Sequence, residues 1–326
     1  MQYRELGSTG VQVSQLCLGT MTFGGEADES ASAAIYKRCR DAGINFFDTA
    51  NVYAKGRSEE ILGKLIQGQR DDLVIATKCH QPTGTDINAR GASRRHMVQA
   101  LEASLKRLGT SRVDIFFLHM FDPLTPMEEA MRGLEDLVRD GKILYPAVSN
   151  YAAWQIQKAL GIQERMGWAR LQVLEPMYNL VKRQAEVEIL PMALANGVGV
   201  IPYSPVAGGL LSGKYRGGKK PDQGRFLANK MYQLRYGGEA AQETAARFTE
   251  FCEQRHMHPV SLAVAWVGSH PAVTAPIIGA RGVEQLEASL KSVDIDMTPQ
   301  LRAEVSALSP APPLATDRSE ETKAGA

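Results

Sequence analysis

Cysteine is scarce in this chain. Its 326 residues include four, Cys17, Cys39, Cys79 and Cys252, and no two are spaced as C-x-x-C. That excludes a disulfide scaffold and a zinc site of that spacing, and it points to free thiols in a reducing cytoplasm. An excess of charge is missing too: 37 basic and 36 acidic residues leave a formal net charge of +1, with no basic stripe. A nucleic-acid partner therefore has no electrostatic support. No apolar run reaches the ~18 residues that a spanning helix needs, so no membrane association is expected. Met1 to Glu5 hold no hydrophobic signal region, which fits a cytoplasmic location.

What is present is ordinary for a globular protein: 44% hydrophobic and 22% charged residues, with a mean hydropathy of -0.22. The order of short apolar runs is more informative. A polar strand pair opens the chain at Tyr3–Leu6 and Val11–Ser14, turning through Gly7 to Gly10. Eight apolar strands follow: Leu16–Thr20, Asn45–Asp48, Leu73–Lys78, Val113–His119, Ile143–Ser149, Leu171–Leu174, Gly199–Tyr203 and Val273–Ile278. Helices are expected between them: from Asp28 or Ser30 to Arg40, Ser58–Ile66 with Ser58 as cap, Ser93–Leu108, Pro126–Asp140, Ala152–Arg165, and Gln184–Asn196 despite Pro191. Ser204 to about Gly238 reads as a long irregular segment, rich in Gly, Lys and Arg, of which Arg216–Gly238 is either a lid or a flexible insertion. Ala240–Arg255, Val260–Val267, Val283–Ser292 and an extra helix Thr298–Leu308 complete the pattern.

Alternating strands and helices demand a parallel sheet covered by helices, and eight units imply closure into a (β/α)8 TIM barrel spanning 1–309. The segment 310–326, opening Pro-Ala-Pro-Pro, is expected to be a disordered tail. An open doubly wound sheet is disfavoured. Its first strand should lead into G-x-G-x-x-G, whereas here Gly19-Thr20-Met21-Thr22-Phe23-Gly24-Gly25 follows.

Barrel enzymes work at the C-terminal ends of their strands. Asp48, Lys78 and His119 end strands two, three and four of the eight, and Tyr53 lies in the loop after Asp48. Separately, these are a turn cap, a solvated strand end, a structural histidine and a rim aromatic. Together, on neighbouring strands, they can protonate a carbonyl oxygen. A phenol, with a pKa near 10, is a weak acid at neutral pH, and an adjacent lysine cation is expected to lower that value. Asp48 can hold the lysine charged in a partly buried site. His119 can donate a hydrogen bond to the carbonyl oxygen.

Two further stretches suit phosphates. Gly208-Gly209-Leu210-Leu211-Ser212-Gly213-Lys214-Tyr215 fits G-x-x-x-x-G-K but puts Tyr215 where a P-loop needs Ser or Thr for magnesium, so a nucleotide triphosphatase is disfavoured. Its glycines and Lys214 still make a plausible diphosphate cradle. Gly279-Ala280-Arg281 lies between the last strand and its helix, where an arginine can grip a phosphate.

From Tyr3 to about Leu308 the chain resembles the aldo-keto reductases. The matching pieces are Leu18-Gly19-Thr20-Met21, Asn45-Phe46-Phe47-Asp48-Thr49-Ala50 with Tyr53, Lys78, Leu118-His119, Val148-Ser149-Asn150, Tyr178-Asn179-Leu180, Tyr203-Ser204-Pro205 and Ile278-Gly279-Ala280-Arg281. The resemblance implies a catalytic tetrad of Tyr53, Asp48, Lys78 and His119, with Tyr53 as general acid for a small-molecule carbonyl substrate, an aldehyde or ketone. It implies NADPH as hydride source in preference to NADH, with Arg281 on the 2′-phosphate, Gln285 on the adenosine, Tyr203 stacked on the nicotinamide, and Ser149 and Asn150 on its carboxamide. Gly19, Thr20, Met21, Asp48, Ser204, Val206, Gly208, Lys214, Arg225, Gly279 and Ala280 join the implied cofactor contacts.

Two positions depart from the family pattern. Glu175 stands where the family has Gln, bringing a carboxylate that can accept but not donate, so that cofactor affinity would depend on pH. Ser289 replaces an Asn, a shorter reach toward the adenine. Two other functions are open: a cofactor-binding regulatory subunit related to potassium-channel β subunits, and a Schiff-base aldolase using Lys78.

Overall fold

The structure, a computed structural model, describes residues 1–215, 226, 229–316 and 318. Strands β1 (Tyr3–Glu5) and β2 (Gln12–Ser14) form an antiparallel hairpin with Tyr3 opposite Ser14. The barrel strands are β3 (Cys17–Gly19), β4 (Phe46–Asp48), β5 (Val74–Cys79), β6 (Val113–Leu118), β7 (Ile143–Ser149), β8 (Val173–Glu175), β9 (Gly199–Val200) and β10 (Ile277–Ile278). They pair side by side in the order β10-β3-β4-β5-β6-β7-β8-β9. Backbone bonds from Thr274 N to Val200 O (2.8 Å) and from Ile277 N to Pro202 O (2.9 Å) join the two ends of that series. This is the (β/α)8 barrel that the alternation implies, with the hairpin before it and a helix, Pro299–Ser306, beyond its last unit.

The pleat decides what fills the barrel. Side chains alternate faces along a strand. Cys17, Phe46, Val74, Ala76, Ile115, Phe117, Ala147, Val173, Ile201 and Ala275 form one buried cluster, with Leu6 and Val13 of the hairpin. Their neighbours Leu18, Phe47, Ile75, Phe116, Leu118, Val148, Leu174 and Val200 belong to a second cluster packed under the helices. The hairpin thus closes the N-terminal end of the interior. At the other end, two residues on from inward-facing Phe46, Ala76, Phe117, Ala147, Val173 and Ile201 stand Asp48, Lys78, His119, Ser149, Glu175 and Tyr203. The same parity makes the polar residues the top layer of the barrel filling.

Local chemistry sets the helix starts. Asp28 caps α1 (Glu29–Asp41) by accepting from Ala31 N, and Ser93 caps α3 (Arg94–Leu108) by accepting from His96 N. Thr298 caps the final helix in the same way. Ser58 does not cap its helix, contrary to expectation. Helix α2 (Arg57–Leu65) starts after Gly56, at φ 91°, and Ser58 Oγ turns inward to donate to Thr20 O (2.7 Å) while also bonding Thr20 Oγ1 and Thr49 Oγ1. Bonds inside the barrel wall outcompete the cap.

Proline accounts for three shorter elements. Pro202 and Pro276 lack an N–H for the ladder, so β9 and β10 are regular over two residues each, not over Gly199–Tyr203 and Val273–Ile278. Tyr203 still makes a bridge to Met177. The expected helix Gln184–Asn196 is divided into a 3-10 turn, Gln184–Glu186, and a helix, Ile189–Ala195, which places Pro191 in its first turn where no N–H is required. The segment after Ser204 is more regular than expected: it holds a 3-10 helix, Ala207–Ser212, and an α-helix, Lys230–Tyr236. Most of the possible lid, 216–225 with 227 and 228, lies outside the described residues, as do 317 and 319–326 of the tail. Residues 310–316 carry no helix or strand. No helix among the described residues is long and apolar enough to cross a membrane.

Glu59 of α2 ties the wall beneath the site. It is fully buried, takes a hydrogen bond from Thr77 Oγ1 (2.5 Å) and pairs with Arg107 Nε (2.7 Å). Removing one partner of a buried pair strands the other. Glu59→Ala should lower stability by roughly 3–5 kcal/mol, read as a fall in urea midpoint; a shift below ~1 kcal/mol would contradict the assigned role.

Candidate active site

Each element delivers its side chain for a local reason. β4 ends at Asp48, and the chain then bends through Tyr53–Gly56, where Ala54 (φ 46°) and Lys55 (φ 55°) adopt the left-handed conformation. Such backbone is unfavourable for non-glycine residues and is held by its surroundings. Tyr53 N bonds to Ala50 O, and Asn51 N to Lys78 O, so the loop is stitched to the next strand. Lys78 is not a solvated strand end: it is 0% exposed.

Lys78 Nζ lies 2.5 Å from both carboxylate oxygens of Asp48 and 3.0 Å from Thr49 O. On its other side Glu175 Oε2 is 3.2 Å away, contributed by β8 from across the barrel. The ammonium also lies 5.3 Å from the centre of the Tyr53 ring and 5.6 Å from that of Phe117. The Tyr53 and His119 rings meet edge to face, centroids 6.1 Å apart. The four residues of the expected tetrad are therefore together, joined by Glu175.

Charge and burial set their protonation. Burial alone would lower the Lys78 pKa, but the Asp48 and Glu175 carboxylates override it and hold the group firmly cationic. Burial raises Asp48, against the pull of Lys78. Burial also raises the Tyr53 phenol above its ordinary value, which reverses the expectation that the lysine would lower it. The lysine does pull downward. Desolvation exceeds that pull, and the charges of Asp48 and Glu175 oppose it. His119 is pushed down to about 3, by burial first and then by Lys78 and His80, so its imidazole is neutral across the physiological range. Glu175 is raised to about 8, by burial first and then by Asp48. That direction favours its protonated form, in which Glu175 can donate as well as accept.

A cavity of about 740 Å³ opens over this layer. Asp48, Tyr53, His119, Asn150, Glu175 and Tyr203 line one end. Arg281, Gln285 and Ser289 line it as well, with Ser204, Val206, Gly208 and Lys214 on another wall and Gly19, Met21, Gly279 and Ala280 completing the expected set. Thr20 and Ser149 do not reach it. Both are buried and occupied with backbone, Thr20 Oγ1 donating to Asp48 O (3.1 Å) and Ser149 Oγ to Glu175 O (2.8 Å). Lys78 sits beneath the cavity floor, and Arg225 lies outside the described residues. Asn150, at φ 57°, donates to His119 O (2.9 Å) and accepts from Tyr203 Oη (2.7 Å), linking β6, β7 and β9 over the mouth.

The cavity fits a dinucleotide. Gly208 and Gly209 have φ of 66° and 95° in the turn after β9, which favours glycine. A Cβ on Gly208 would fall 2.3 Å from the Tyr232 ring, and one on Gly209 would come 3.3 Å from Lys214 Nζ. The turn therefore presents bare backbone beside a cation. Arg281 N donates to Gln285 Oε1 (3.1 Å), which ties the loop after β10 to the first turn of the helix Val283–Leu290. Met231, Tyr232 and Arg235, from the helix Lys230–Tyr236, also line the cavity. They went unassigned because that stretch reads as irregular. The signal available was helical spacing, Met231 and Arg235 being four residues apart.

Known proteins align with this chain over most of its length. It is 37% identical over 323 residues to the uncharacterized oxidoreductase YrpG of Bacillus subtilis, covering 96% of this chain and 97% of that one. It is 36% identical over 302 residues to a probable voltage-gated potassium channel subunit beta of Arabidopsis thaliana (90% and 92% covered). With the versiconal hemiacetal acetate reductase of Aspergillus parasiticus it shares 32% over 326 residues (92% and 94%). The model of the aldo/keto reductase family matches residues 15–309, and this chain is a member of that family.

Proposed function

We propose that the protein reduces an aldehyde or ketone to the alcohol with NADPH. The observation that carries this reading is the fully buried Lys78 ammonium, paired with Asp48 beside Tyr53 and His119 on one cavity. We assign the activity to one domain, 1–309, with 310–326 outside it.

The chemistry needs a hydride on carbon and a proton on oxygen. A reduced nicotinamide, when bound, supplies the hydride. The chain's own residues do the rest. Tyr53 is a neutral phenol at working pH because burial holds its proton, so it is in the acid form that reduction requires. As the proton leaves for the substrate oxygen, the Lys78 cation stabilises the phenolate that remains. Asp48 keeps that cation in place. His119, being neutral, offers a ring N–H to the same oxygen without adding charge. Its Nδ1 has no hydrogen-bond partner among the described residues.

At the far end, Lys214 beside the Gly208–Gly209 turn and Arg281 before the helix Val283–Leu290 suit the phosphates, and Gln285 and Ser289 the adenosine. A 2′-phosphate on Arg281 is what favours NADPH over NADH. The potassium channel subunit among the relatives supports a second reading, a nucleotide-binding regulatory subunit. Steady-state NADPH oxidation with a panel of aldehydes and ketones separates the two: turnover on any member supports the reductase, and tight NADPH binding without turnover supports the subunit.

Two variants test the assignments. Tyr53→Phe should lower kcat by roughly 10²–10⁴-fold while leaving the NADPH dissociation constant within about twofold; unchanged turnover would remove Tyr53 from the acid role. Arg281→Ala should raise the KM for NADPH by about 10- to 100-fold and that for NADH far less. An equal rise for both cofactors would sink the 2′-phosphate contact.

A further inference from the structure

Two carboxylates and one ammonium share the floor of the cavity. Asp48 is 3% exposed at its side chain, Glu175 4% and Lys78 0%. Lys78 directs its hydrogen bonds to Asp48 Oδ1, Asp48 Oδ2 and Thr49 O. Glu175 Oε2 has only the 3.2 Å ion contact with Lys78 and accepts no hydrogen bond among the described residues. If both carboxylates were ionised, the floor would hold one uncompensated buried negative charge, which burial strongly disfavours. Like charges at one site force a proton onto one of them. Asp48 has the two-pronged contact, so Glu175 keeps the proton.

Other ionisable groups face Glu175 from every side: Asp48 from β4, Lys78 from β5, Cys17 from β3, Tyr53 from the loop after β4 and Tyr203 from the end of β9. Burial raises the Cys17 thiol and both phenols, keeping them neutral, and the carboxylates keep Lys78 charged. Glu175, raised to about 8, is the member of this set whose charge changes close to neutrality. The reacting ring of a nicotinamide must approach the carbonyl that Tyr53 protonates, and therefore the same end of the cavity.

We propose that Glu175 makes the site distinguish oxidised from reduced nicotinamide by proton exchange: protonated, it leaves a neutral floor suited to the uncharged reduced ring, and ionised, it supplies the anion that balances the positive charge of the oxidised ring. This rests on the nicotinamide reading above. Binding of the oxidised cofactor then expels the Glu175 proton to solvent, and binding of the reduced cofactor does not. The sign follows. Raising the pH ionises Glu175 in advance, so NADP+ binds more tightly while NADPH is little affected.

The test is the ratio of dissociation constants, NADP+ over NADPH, measured by titration of the protein between pH 6 and 9. The 2′-phosphate is common to both ligands, so its titration cancels in the ratio. The ratio should fall about tenfold per pH unit up to about pH 8 and then level off. In Glu175→Gln, which keeps the shape and removes the titration, the ratio should be flat. A second measurement needs no variant: calorimetry of NADP+ binding at pH 7, in two buffers of different ionisation enthalpy, should show release of about one proton. A flat ratio in the unmodified protein, a slope that survives in Glu175→Gln, or no proton release would each overturn the proposal while leaving the reductase reading intact. Failure to bind either nucleotide would instead overturn the nicotinamide reading, and this inference with it.

Discussion

An ammonium group enclosed by an apolar barrel must be neutralised where it stands. Lys78 has Phe117 on one side and no exposed surface, so water cannot solvate it. Asp48 answers that need from the adjacent strand and Glu175 from the opposite wall. Much else in the upper barrel follows from keeping those three in register. Ser58 fastens Thr20, at its carbonyl and hydroxyl, to the hydroxyl of Thr49, Glu59 grips Thr77 one residue before the lysine, and Ser149 grips the backbone of Glu175. Side chains that sequence would assign to caps or solvent are recruited to hold the floor.

The barrel gives this arrangement its economy of design. One parity rule, inward at every second residue, fills the lower layers with Phe46, Ala76, Phe117 and Val173 and the upper layer with chemistry. A strand register slip by one residue would carry Asp48 or Lys78 to the helix side. Catalytic geometry and barrel packing are thus protected by the same constraint, which explains how short strands, some of only two or three residues, suffice to position a site.

Much of this is legible in the chain. Alternating strands and helices give the barrel, and polar residues at the ends of apolar runs give Asp48, Lys78 and His119. The rest depends on distances that a linear pattern does not carry. That the Tyr53 proton is held more tightly than in water follows from desolvation by the assembled walls, which outweighs the visible lysine. That Glu175 reaches Lys78 follows from closure, which brings β5 and β8 across from one another although β6 and β7 lie between them. Ser58 looks like a cap because its type and place are right for one; only the neighbouring Thr20 and Thr49 show where its hydroxyl is needed. Pro202 and Pro276 could have shortened the last two strands on inspection, since a missing donor is visible in the sequence. The helix Lys230–Tyr236 is hidden by the composition around it.

The hairpin that opens the chain has a role in traffic. Leu6 and Val13 are fully buried against the lowest layer of the barrel filling and stopper that end. The described cavity accordingly opens at the opposite end, where Tyr53, Asn150 and Glu175 line it, and under the proposed reaction cofactor and carbonyl would have to share that mouth.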